Sequence, residues 1–73
     1  GLDITAPSMI DLLDWFDSRD FDCATVGAIA DDTGYHRETI RKNLKQLMAA
    51  DCVERLHGPT GFYRLLEDPR TDE

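Results

Sequence analysis

The sequence predicts a mostly helical α+β fold, with three helices and a small antiparallel sheet closed by a β-hairpin. Three observations predict it. Apolar residues recur at helical spacing over residues 8–18, 26–33 and 37–50. The pattern then switches to strand-like runs at 52–56 and 62–66. Between those runs, His57-Gly58-Pro59-Thr60-Gly61 is dense in turn-forming residues.

The first helix is signalled by Ala6-Pro7-Ser8. Ser8 is a favoured N-cap, and Asp11 stands three positions on, in the capping-box slot, although Asp is shorter than the usual Glu or Gln. Met9, Ile10, Leu12, Leu13, Trp15 and Phe16 form a broad apolar face with Asp11, Asp14 and Asp17 opposite, and the helix is expected to end near Ser18. Trp15, the single tryptophan, is expected in the core; on so small a domain it also offers a dimer contact. Residues 21–24 read as a short extended piece. Thr25 then caps a second helix running to about Thr33, with Val26, Ile29 and Ala30 inward. Gly34 ends that helix, where a positive φ costs glycine nothing. A third helix is expected from Arg37 to Ala50, with Asp51 at its exit in a slot that suits Gly or Asn better. Residues 8–66 are the expected folded domain, 1–7 an N-terminal arm, and 67–73 an acidic tail without apolar periodicity that is expected to fray.

Seventy-three residues allow one domain at most. A chain of this size buries only about 60% of its unfolded surface, too little for a deep, dry catalytic pocket. The sequence holds no Ser-His-Asp set, no glycine-rich phosphate loop and no carboxylate pair in an apolar setting, so no catalytic residues are expected. No apolar run approaches the roughly 18 residues needed to cross a bilayer, and no basic segment precedes an apolar one near the start. No membrane association is expected, and the cytoplasm is the expected location. The initial Gly in place of Met reads as a processed or excised fragment, compatible with further domains. Cys23 and Cys52 are expected as buried thiols acting as small hydrophobes. A single disulfide without a secretion signal is the weaker reading. With His36 and His57 the cysteines fit no zinc-ligand spacing, so neither metal nor other cofactor is expected.

The formal net charge of −7 argues against nucleic acid until its distribution is considered. Residues 1–34 hold eight aspartates against Arg19 alone, a net −7. Residues 35–64 hold six basic side chains against Glu38, Asp51 and Glu54, a net +3, and residues 65–73 return to −3. The basic charge is gathered in the middle of the chain. Eleven of the fifteen acids are Asp, and Arg outnumbers Lys six to two. This composition resembles that of proteins from salt-loving archaea, where salt screens the self-repulsion of a dense carboxylate surface.

Helix, short strand, helix, turn, helix and hairpin is the order of a winged helix-turn-helix. Residues 25–47 carry its most specific signal. A small residue is needed where two helices cross, a glycine in the turn, and an aliphatic residue early in the second helix. Ala30, Gly34 and Ile40 supply these. Ile29-Ala30, Thr33-Gly34-Tyr35, Glu38-Thr39-Ile40-Arg41, Leu44-Lys45-Gln46-Leu47, Cys52-Val53-Glu54-Arg55 and Gly61-Phe62-Tyr63-Arg64-Leu65 together resemble the winged helix-turn-helix domains of MarR-like and ArsR-like regulators. They are closest to the compact haloarchaeal phage-repressor-like group. His36 departs from that pattern, which has a Ser or Thr cap there, and Asp51 departs from its Gly. The resemblance implies a transcription regulator of repressor type, with the hairpin lying along the DNA backbone or dipping into the minor groove.

The third helix divides by face independently of that likeness. At about 100° per residue, Ile40, Leu44 and Leu47 share a buried stripe. Glu38, Lys42 and Lys45 fall opposite, with Thr39 and Arg41 on the flanks. Such a helix fits a major groove. Arg41 and Lys42 have the reach for guanine O6 and N7, Thr39 for a thymine methyl or a phosphate, and Glu38 for cytosine N4. Arg37 and His36 open the same helix. Arg55, His57 and Thr60, with the amides of Gly58 and Gly61, form a second candidate contact on the hairpin over 56–62, while Tyr63 and Leu65 are expected in the core. A basic stripe can also be a merely solvated face; its confinement to the segment the motif marks favours a site. The expected partner is double-stranded DNA, bound by a homodimer at a palindromic site. The competing reading is a protein-interaction module whose acidic first helix meets another protein and whose third helix binds no groove.

Overall fold

The computed structural model describes residues 4–19, 23–56 and 61–70. Three helices, α1 (Pro7–Asp17), α2 (Val26–Thr33) and α3 (Arg37–Ala49), precede two strands, β1 (Val53–Arg55) and β2 (Tyr63–Leu65). The strands pair antiparallel with Val53 opposite Leu65, Glu54 opposite Arg64 and Arg55 opposite Tyr63. Ala24 adds a single bridge to the other edge of β2, exchanging backbone hydrogen bonds of 2.8 and 2.7 Å with Tyr63. The result is a small α+β domain, three helices on a two-stranded sheet. Among the described residues, no helix is long and apolar enough to cross a membrane.

The core is drawn from every element. Met9, Leu12, Leu13 and Phe16 of α1 meet Ile29 and Ala30 of α2, Ile40, Leu44 and Leu47 of α3, and Val53 and Leu65 of the sheet, all buried. Most of the residues chosen above by helical period turn inward, because burying one apolar stripe per helix is the main stabilising term available to so short a chain. Ile10, Trp15 and Val26 are only half-buried, and Trp15, expected in the core, donates its Nε1–H to Asp32 at 3.0 Å at the surface.

The start of α1 differs from expectation. Ala6, not Ser8, is the N-cap, and Pro7 occupies the first helical turn, where its missing N–H costs nothing and its φ is already set. Ser8 is drawn inside the helix, and its Oγ accepts a 3.0 Å bond from Asn43 Nδ2 on α3. Asp11 does not close a capping box; its Oδ2 accepts from the Tyr35 hydroxyl at 2.7 Å, which raises that phenol above its ordinary pKa. The other two helix starts are capped by side chains. Thr25 Oγ1 accepts from the Ala28 N–H, and His36 Nδ1 accepts from the Glu38 N–H at 3.1 Å. An imidazole thus does at α3 what a hydroxyl does at α2.

The exits of α2 and α3 use left-handed backbone, while α1 ends in right-handed geometry at Ser18. Gly34 has φ 84°. Asp51 has φ 61° and completes a Schellman motif, in which Cys52 N–H bonds Leu47 O at 2.8 Å and Asp51 N–H bonds Met48 O at 3.0 Å. The cysteines part company. Cys52 is buried, and burial together with the carboxylates of Glu67 and Asp51 pushes its thiol pKa up. Cys23, expected inside, is exposed, because its neighbour Ala24 takes the inward position at the β2 bridge and strand alternation turns Cys23 out.

The segment 67–70, assigned above to the acidic tail, is tied to the rest of the fold: Glu67 N–H bonds Cys52 O at 3.2 Å, and Arg70 reaches α1. Arg70 Nη2 pairs with Asp68 at 2.7 Å and Nη1 with Asp14 at 2.6 Å. Asp68 is only 7% exposed.

Candidate nucleic-acid interface

α3 presents its two faces as the sequence predicts. Ile40, Leu44 and Leu47 are buried, while Arg37, Glu38, Arg41, Lys42 and Lys45 are exposed. Asn43 joins the buried face, a polar position held by Ser8. The exposed face is not flat. A cleft of about 290 Å³ lies between the start of α2, the start of α3 and the sheet. Thr25 and Gly27 line one side, Arg37 and Arg41 another, and Arg55, Gly61 and Tyr63 the third. A second hollow of about 340 Å³ continues along α3 past Arg41, Lys42 and Lys45 to Met48. Arg41 and Tyr63 line both, so the two form one continuous surface.

Local chain geometry explains how the arginines reach the cleft. On β1, Arg55 lies two residues from buried Val53 and so points to the same side of the strand. There the sheet has outrun the core, and the guanidinium emerges beside α2. Glycines make room for it and for Arg37. Arg55 Nη2 lies 3.2 Å from where a Cβ on Gly61 would stand, and Arg37 Nη2 lies 3.4 Å from where one on Gly27 would stand.

The cations of the described residues fall into two groups. Arg19 is tied to Asp32, Arg64 to Glu54, and Arg70 to Asp14 and Asp68, at 2.6–2.7 Å. All but the Arg70–Asp68 pair join segments distant in sequence. Arg37, Lys42, Lys45 and Arg55 have no carboxylate within ion-pair distance among the described residues. Arg41 is intermediate: its Nη1 bonds Glu38 Oε2 at 2.8 Å on the exposed helix face, a pair worth well under about 1 kcal/mol that still orients the guanidinium. The cations without internal partners are therefore the ones that line the joint surface.

Of the predicted site residues, Arg37, Arg41 and Arg55 converge on the cleft, and Glu38, Arg41, Lys42 and Lys45 on the hollow. His36 is exposed and lines neither, its Nδ1 spent on capping α3. Thr39 is half-buried on the flank and also lines neither. His57 and Thr60 lie outside the described residues. Sequence reasoning missed Thr25, Gly27, Met48 and Tyr63. Tyr63 was assigned to the core, and it does pack against the core while bordering both hollows. A strand register pairing it with Arg55 would have found it.

The arrangement suits an extended anion. Guanidinium forks match phosphate geometry, and the lysines act as point charges beyond them. Comparison of the chain with protein-family models, curated proteins and solved structures finds no match.

Proposed function

We propose that this chain is a winged helix-turn-helix domain that binds double-stranded DNA sequence-specifically, as a transcription regulator of repressor type. One observation carries the reading: among the described residues, the cations without a carboxylate partner, Arg37, Lys42, Lys45 and Arg55, gather with the Glu38-paired Arg41 on the exposed face of α3 and the adjacent end of β1, while Arg19, Arg64 and Arg70 are consumed by ion pairs. In this reading α3 enters the major groove, where Arg41 and Lys42 meet base edges, and the β1–β2 hairpin lies on the backbone or minor groove. Glu38 orients Arg41 and discriminates against bases that offer no donor.

The competing protein-interaction reading draws on the −7 net charge and the acidic first helix. Two of that helix's acids are already engaged within the chain, Asp11 by Tyr35 and Asp14 by Arg70, which leaves less of an acidic face to offer a partner.

Fluorescence anisotropy on a selected duplex tests the proposal. Arg41→Ala should weaken specific binding about tenfold or more, as expected for loss of a bidentate base contact. Asp17→Ala, at an exposed site at the end of α1, should leave affinity within error or raise it slightly. Equal effects of the two would refute the role of α3.

A further inference from the structure

Three guanidiniums around a single cleft, with one carboxylate beside them, define a more particular ligand than a DNA surface. Arg37, Arg41 and Arg55 bring three positive charges, and Glu38 on Arg41 removes one, leaving a net of two. That balances a free phosphate dianion and more than balances the single charge of a backbone phosphodiester. The guanidiniums come from three places, the first and second turns of α3 and the end of β1, so they approach from different directions instead of forming a row. The fourth side is backbone. Val26 and Gly27 begin α2, where N–H groups precede any intrahelical acceptor, and Gly27 carries no side chain to cover them. Thr25 Oγ1 accepts from Ala28 N–H, so its hydroxyl hydrogen is directed elsewhere and can donate toward the cleft it lines. The cleft, about 290 Å³ and open to solvent on one side, has room for a phosphoryl group with its water.

We infer that this cleft is a single-phosphoryl site, able to take either a backbone phosphodiester of duplex DNA or a free phosphate ion, and that the two exclude each other. Free phosphate is then a specific competitor of DNA, acting beyond its contribution to ionic strength. The duplex half of this inference rests on the DNA-binding reading; the free-ion half does not.

The test is amide chemical-shift mapping of the whole chain in two titrations. Inorganic phosphate replaces chloride at constant ionic strength in one, and a short duplex is added in the other. Phosphate is expected to produce saturable shifts centred on Val26, Gly27 and Gly61. Arg37→Ala and Arg55→Ala should each weaken its binding about tenfold while spectral dispersion stays native. The duplex should move the same amides, and phosphate should then reverse those shifts. Shifts of the cleft amides with phosphate but none with duplex would support the free-ion site and refute the DNA-binding reading. Duplex shifts at Lys42 and Lys45, with Val26, Gly27 and Gly61 unmoved in both titrations, would overturn this inference and leave the DNA-binding reading standing. Duplex shifts in the cleft without any response to phosphate would overturn the competition. A phosphate response shared by all basic residues alike, or unchanged in both arginine variants, would overturn the site.

Discussion

Asn43 sits 6% exposed on the buried face of α3, and Ser8 Oγ is the acceptor for its side-chain amide. A buried amide stripped of its partner costs about 1–3 kcal/mol, so Ser8→Ala should destabilise by that amount in denaturant melts. The loss should shrink when Asn43 is also replaced by Leu, because the orphaned donor is then gone. Were Ser8 acting as the N-cap, its removal would cost the same in both backgrounds. Asp51 is the other single residue with a measurable consequence. At φ 61° it holds the left-handed turn that ends α3, and Asp51→Gly should raise stability by up to about 1 kcal/mol. A loss on that substitution would mean that the Asp side chain contributes something its backbone strain conceals. Both residues stand out in the sequence, Ser8 as an expected N-cap and Asp51 at the exit of α3. Only Asp51 was read for the right reason, since a Ser one residue inside a Pro-initiated helix has the same local pattern as a cap.

At the scale of elements, the chain end is fastened to α1 through one arginine. Arg70 joins Asp68, in its own turn, to Asp14 on the helix. Hydrogen bonds from Arg70 hold the Asp68 carboxyl below its ordinary pKa of 3.8, against the opposing effect of its burial. A carboxyl with a lowered folded pKa stabilises fully above its unfolded value and loses that contribution as pH falls through the folded one. Thermal melts should therefore show an acid-side loss of stability beginning near pH 4 and continuing below it. In Arg70→Gln that slope should be shallower, and stability at neutral pH lower. An unchanged slope would mean that Asp68 gains nothing from Arg70. This fastening was illegible in the sequence, where residues 67–73 offer only charge and no period, and where a contact between Arg70 and Asp14 spans 56 positions. Helices were legible because an apolar stripe recurs every turn; an ion pair between distant residues leaves no such trace.

Over the whole molecule, net charge and charge placement point in opposite directions, and placement decides the functional reading. The sequence already located the basic middle segment, and Ala30, Gly34 and Ile40 took up the buried, left-handed and buried positions that a tight α2–α3 pair requires. The arginine cleft itself was not visible, because Arg55 and Tyr63 reach α2 and α3 only through strand register and the glycine at 27 matters only beside Arg37. The salt response also belongs to this scale. If the acidic surface is an adaptation to high salt, counterion release adds little to binding, and direct contacts to bases must supply the specificity. At lower salt, Arg55→Ala should reduce the slope of log affinity against log salt by about 1 and weaken all sequences alike, unlike Arg41→Ala. The central claim is sequence-specific recognition of duplex DNA by α3. Selection from a pool of random duplexes at several salt concentrations tests it most directly. An enriched motif is expected that persists as salt rises and is lost with Arg41→Ala; recovery of no enriched sequence at any salt concentration would contradict recognition by α3.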